Sequence, residues 1–105
     1  MNNPKLTFFG GVGATTGANF LVEYENTKLL IDCGLLQGLH HADDWNASSF
    51  KYDLAEIKFL FVTHAHMDHI GRIPKLVKDG FKGKIISTPE TKEISRYLLF
   101  DAYKI

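Results

Sequence analysis

The apolar run Ile57-Lys58-Phe59-Leu60-Phe61-Val62 empties directly into Thr63-His64-Ala65-His66-Met67-Asp68-His69. A run of this length, interrupted by one polar residue, predicts a strand buried on both faces of a layered α/β domain. Its end delivers three of the chain's five histidines and an aspartate, within six positions, over the edge of a sheet. In a chain of this composition such an H-x-H-x-D-H window arises by accident about once in a thousand sequences. One histidine at a strand end is explained by a hydrogen bond to a backbone carbonyl; three interleaved with an acid are not. Alternate residues of an extended segment share a side, so His64 and His66 can converge on one metal ion. Where the chain then bends into a helix, Asp68 and His69 can turn towards a second. Small Ala65, with Gly71 just beyond, leaves room for that bend.

The flanking sequence supplies a frame. KLTFFGG alternates weakly, with Leu6 and Phe8 on one face, and NFLVEYEN places Phe20, Val22 and Tyr24 opposite Glu23 and Glu25. Asn26-Thr27 predicts a tight turn into KLLIDCG, making a hairpin. Between the first two strands GGVGATTGAN permits close backbone approach. LLQGLHHADDWNASSFKYDLAEI has little periodicity and reads as loop with a short helical turn. IPKLVKDG predicts a helix with Pro74 in its first turn and Gly80 past its end, and KIIS a further buried strand. TPETKEISRYLLFDAYKI opens with Thr88 as N-cap and Pro89 at N1, and sets Ile94, Leu98, Ala102 and Ile105 on one helical face. A β-rich start followed by alternating β and α predicts an α/β (α+β) fold, a mixed β-sheet covered by helices. That last helix is still in phase at Ile105, which suggests that residues 1–105 are part of a larger domain.

Composition excludes little. No run reaches the roughly eighteen apolar residues of a membrane span, and MNNPKLTFFGG lacks the marks of a secretory signal. Cys33 is the only cysteine, so no internal disulfide forms and a cytoplasmic setting is expected. A zero net charge hides an asymmetry of −4 over residues 1–71 and +4 over 72–105. An acidic segment holding histidines suits cations, and a basic one suits phosphates, although both also serve as solvated faces. Lys75, Lys78, Lys82 and Lys84 read first as solvated helix and turn positions. Cys33 reads as a buried small hydrophobe, and Trp45 as an apolar cap over its loop.

THAHMDH resembles the signature of the metallo-β-lactamase superfamily. LTFFGGVGATTGANFLVEYENTKLLIDCGLLQG and HMDHIGRIPKLVKDGFKGKIISTPETKEISRYLLFDAYKI are similar to its β-CASP branch of RNA-processing nucleases. The resemblance implies the N-terminal half of an αββα sandwich. It assigns His64 and His66 to one zinc ion and Asp68 and His69 to a second. It gives Asp68 a catalytic part in positioning or deprotonating the attacking water. Asp32 becomes a supporting acid beside the site, where the residues alone would favour a turn-forming acid before Gly34. Thr15, Thr16 and Gly17 match a loop near the site, whereas His40 and His41 match no ligand position.

The implied reaction is hydrolysis of RNA phosphodiester bonds by a water activated between two zinc ions about 3.5–4 Å apart. Two ligands per ion fall short of the three that a catalytic zinc usually takes. The rest would come from later in the same polypeptide, from a homodimer partner or from a complementing chain, and the 105 residues alone are expected to hold metal weakly. Two other readings stand beside this one: a small-molecule hydrolase of the same fold acting on a thioester or lactam, and a catalytically incomplete, partner-binding remnant.

Overall fold

Five strands lie in chain order in one mixed sheet: β1 (Lys5–Gly10), β2 (Asn19–Tyr24), β3 (Thr27–Ile31), β4 (Ile57–Phe61) and β5 (Lys84–Ile86). The computed structural model describes residues 3–10, 16–37 and 42–103, with side chains to residue 100. β1, β2 and β3 pair antiparallel, and β3, β4 and β5 pair parallel. Parallel pairs need crossovers. β3 reaches β4 through α1 (Ala42–Ala47) and a 3₁₀ turn at Leu54–Glu56, which Asp53 caps by accepting from the Ala55 N–H at 3.0 Å. β4 reaches β5 through α2 (Met67–Ile70) and α3 (Ile73–Lys78), and α4 (Pro89–Tyr103) follows. Thr88 caps α4 as expected, its hydroxyl oxygen accepting from the Thr91 N–H at 3.2 Å.

The hairpin loop is Glu25-Asn26, one residue earlier than the sequence suggested. Thr27 is drawn into the ladder opposite Tyr24, and Glu25 takes a φ of 54° to close the turn.

Strand periodicity divides the sheet into two faces. On one, Leu21, Leu30 and Leu60 stand side by side and are 5, 0 and 0 % exposed. They pack with Ile70, Ile73, Leu76 and Phe81 into the core; each such burial stabilises the fold by about 1.5–3 kcal/mol. On the other face the register aligns Phe8, Phe20, Ile31, Phe61 and Ile86 in one row across all five strands. Phe8 and Phe61 on that row are exposed.

Three expectations change accordingly. β4 is buried on one face, not both. β5 is an exposed edge strand, not a buried one. In β2 it is Leu21, not Phe20, Val22 and Tyr24, that enters the core. α4 also turns a different side inward: Leu99 packs against the core while Ile94 and Leu98 face out. Ala102 and Ile105, expected on the same side, lie outside the described side chains.

Candidate metal centre

The site begins where β3 stops. Asp32 leaves the strand with a φ of 61°, in the left-handed region that Asp tolerates better than most residues. That turn sends the backbone of residues 32–35 against α2. The Cys33 N–H donates to the His69 carbonyl at 2.8 Å and the Leu35 N–H to the Met67 carbonyl at 2.9 Å. From the other side the Ala18 N–H donates to the Asp68 carbonyl at 3.0 Å. Gly34 is required here by space: a Cβ built on it would lie 1.7 Å from the Asp68 carbonyl oxygen. Backbone contacts from two segments, residues 32–35 and Ala18, thus hold Met67, Asp68 and His69 before any side chain acts.

Asp32 is 1 % exposed, so its carboxylate oxygens must be met by hydrogen-bond donors. Oδ1 accepts from the Thr63 N–H at 2.8 Å. Oδ2 accepts from the Thr63 hydroxyl at 2.6 Å and from His69 Nδ1 at 2.7 Å. An acid that accepts from Nδ1 leaves Nε2 of His69 with its lone pair facing outward. Beneath Asp32, the Asn19 amide donates to the Asp32 carbonyl at 2.9 Å and accepts from the Tyr52 hydroxyl at 2.7 Å. Burial raises the Tyr52 phenol above its ordinary range, so that hydroxyl stays a donor. Burial likewise pushes the neighbouring Cys33 thiol up to about 12, which keeps it a neutral, inert hydrophobe as its sequence context implied.

His64, Asp68 and His69 bring one donor atom each within 4.8 Å of one another. The His64 and His69 ring centroids are 3.7 Å apart, and His69 Nε2 stands 3.5 Å from Asp68 Oδ2. His66 caps the start of α2 through its carbonyl, which accepts from the His69 and Ile70 N–H groups at 2.8 and 3.0 Å. Its ring lies 4.9 Å from that of His64, beside the three-donor cluster and not within it. Two imidazoles and a carboxylate are donor types that zinc binds at about 2.0–2.2 Å, so this set fits an ion after side-chain adjustments of about an ångström.

The structure therefore brings together four of the five residues singled out for the site, and groups His64 with Asp68 and His69, not with His66 alone. Thr16 exchanges two hydrogen bonds with the Gln37 backbone at 3.1 and 2.8 Å, and Gly17 takes a φ of 78°. Thr15, His40 and His41 lie outside the described residues.

Two contributors escaped sequence reading. Thr63 is one; only its place directly before the histidines marks it. Arg72, 4 % exposed, is the other. Its guanidinium lies 4.2 Å from the Phe50 ring centre and 4.6 Å from that of Trp45, and donates to the Asn46 and Ser48 carbonyls at 3.0 and 2.7 Å. Trp45 is thus one wall of a cation clamp, not merely a cap over its own loop.

The family model of the metallo-β-lactamase superfamily matches residues 12–104. Ribonuclease TTHA0252 of Thermus thermophilus is 36 % identical over 101 residues, covering 96 % of this chain and 23 % of that protein. Cleavage and polyadenylation specificity factor 73 of Drosophila melanogaster is 36 % identical over 101 residues, covering 90 % of this chain and 14 % of that one. The chain thus spans less than a quarter of the length of either relative. Among solved structures, human tRNase Z, short form, superposes with a TM-score of 0.59 at 18 % identity, covering 98 % of this chain and 42 % of its own; that likeness speaks for the fold.

Proposed function

The chain belongs to the metallo-β-lactamase superfamily, two of its relatives are named as a ribonuclease and a cleavage and polyadenylation specificity factor, and on that premise we propose that it carries the metal-binding core of a zinc-dependent, β-CASP-type ribonuclease. The observation that carries this reading is the cluster of His64, Asp68 and His69 resting on the buried Asp32 carboxylate. His64, Asp68 and His69 would hold zinc, with His66 beside them. Zinc supplies Lewis acidity, and makes water acidic enough to serve as a nucleophile near neutral pH.

The chain's own residues do the rest. Asp32 holds the His69 Nδ1 proton and so presents Nε2 to the site. Asp68, partly exposed and 3.5 Å from His69 Nε2, offers a carboxylate oxygen that accepts a proton from the attacking water and orients it. The scissile bond is an RNA phosphodiester, and base identity matters little because the reacting groups are the phosphate and water. Ligands that complete the site come from the longer protein or from a second polypeptide. Among the described residues no helix is long and apolar enough to cross a membrane, and a single buried thiol suits a cytoplasmic enzyme.

The test is zinc-dependent cleavage of a labelled single-stranded RNA by the longer protein. Asp68→Asn should reduce the rate by at least a hundredfold while leaving the fold intact. Equal activity in the variant, or hydrolysis of a thioester or lactam without cleavage of RNA, would overturn the reading.

A further inference from the structure

The Asp32 carboxylate touches one histidine of the cluster directly, but a second contact runs past it. Thr63 Oγ1 lies 2.6 Å from Asp32 Oδ2 and 3.2 Å from His64 Nδ1. A hydroxyl has one hydrogen and two lone pairs. The buried carboxylate only accepts, so the Thr63 hydrogen is committed to Asp32. What remains for His64 is a lone pair, and a contact to a lone pair requires His64 to bring the hydrogen on Nδ1. Nε2 of His64 then keeps its lone pair, on the side available to the cluster.

We infer that Thr63 is a positioning residue: its hydroxyl relays the Asp32 carboxylate to His64 and fixes that ring with Nδ1 protonated and Nε2 free to ligate. One buried acid thereby sets both imidazoles, His69 at first hand and His64 through Thr63. The two holds differ in strength. The His69 contact is 2.7 Å and its ring is 20 % exposed, whereas the His64 contact is 3.2 Å on an exposed residue. His64 is thus the ring whose tautomer depends on Thr63, while His69 is held at Nδ1 by Asp32 directly. Asp32 also anchors the residue that carries the relay: the Thr63 N–H donates to Asp32 Oδ1 at 2.8 Å, which fixes the backbone from which the hydroxyl reaches Oδ2. The relay deepens the metal-site reading, but its test does not depend on that reading.

The experiment is long-range ¹H–¹⁵N correlation NMR of the histidine rings in the metal-free 105-residue chain at pH 8, above the ordinary imidazole pKa of about 6.5. Free histidine in water favours the Nε2–H form, so a dominant Nδ1–H form has to be imposed by a partner. In the unsubstituted chain both His64 and His69 should show Nδ1–H. Thr63→Val keeps the shape and removes the hydroxyl; His64 should revert to Nε2–H while His69 stays Nδ1–H. Thr63→Ser should restore His64. Zinc competition against a chelator gives a second readout, with affinity lowered about 10–100-fold in Thr63→Val and recovered in Thr63→Ser. Nε2–H on His64 in the unsubstituted chain would overturn the relay, and this holds even if Thr63→Val does not fold. Unchanged His64 in Thr63→Val would do the same, as would both rings shifting together. Zinc bound by the longer protein with the same affinity in His69→Ala as in the parent would overturn the metal reading and leave the tautomers to decide the relay.

Discussion

His69 donates from Nδ1 to Oδ2 of Asp32 across 2.7 Å, although 37 residues separate them in the chain. The acid is buried and held by two further donors from Thr63, so the pair is a fixed point around which the rest of the cluster is arranged. Asp32→Asn separates its electrostatic part from its shape. Asn tolerates the left-handed backbone of position 32, but cannot accept from three donors. Zinc affinity should fall about 10–100-fold with a loss of stability near 1–2 kcal/mol, read by chelator competition and urea unfolding. Asp32→Ala should cost more stability, about 3 kcal/mol, because it strands the Thr63 donors as well.

Gly34→Ala tests the backbone half of the site. A methyl placed 1.7 Å from the Asp68 carbonyl oxygen forces α2 away from residues 32–35. Stability should fall by about 3 kcal/mol, and amide shifts in a ¹H–¹⁵N spectrum should concentrate on residues 66–70. A variant that melts like the parent would mean that this contact is looser than described.

Arg72→Met keeps much of the aliphatic bulk and removes the cation from between Trp45 and Phe50. Two carbonyls, on Asn46 and Ser48, lose their charged donor. The expected cost is about 3 kcal/mol. Trp45 is the only tryptophan, so its fluorescence reports the loss locally: emission should change in the folded variant and match the parent once both are unfolded.

Neighbouring positions in β4 should respond oppositely. Leu60 is 0 % exposed in the core, and Leu60→Ala should cost about 2–5 kcal/mol. Phe61 is on the open face at 37 % exposure, and Phe61→Thr should change stability by less than about 1 kcal/mol. Urea midpoints of the two variants measure the contrast directly.

This pair also shows what the chain's letters can and cannot convey. The cluster of His64, Asp68 and His69 was legible because its residues are local: the strand exit, the H-x-H-x-D-H spacing and the helix start all lie within one short segment. Asp32 needed the family resemblance, since an acid before a glycine looks like an ordinary turn. The Arg72 clamp was not legible, because it includes hydrogen bonds to backbone carbonyls 24 and 26 residues away, which no side-chain pattern marks. The apolar run of β4 reads the same whether one face or both are covered. In α4 the periodicity selected Ile94 and Leu98, yet the place of the helix over the sheet turns Leu99 inward.

Cys33 sets a pH dependence. Burial raises its thiol from an ordinary 9 to about 12 in the folded chain. Between those values the unfolded chain has released the thiol proton and the folded chain still holds it, so the unfolded state binds fewer protons and stability declines as pH rises. The contribution is complete below pH 9 and lost by about pH 12. Cys33→Ala should flatten that decline in urea unfolding measured from pH 8.5 to 10.5. At pH 8 a disulfide reagent should label the folded chain only at its rate of opening.

The most direct measurement is a zinc titration of the 105-residue chain followed by histidine side-chain NMR. Saturable shifts at His64 and His69, with amide shifts centred on residues 63–69 and on Asp32, and their loss in His69→Ala, are the predicted result. Zinc that leaves His64 and His69 unmoved, or binds equally well to His69→Ala, would contradict the assignment of this cluster as the metal centre.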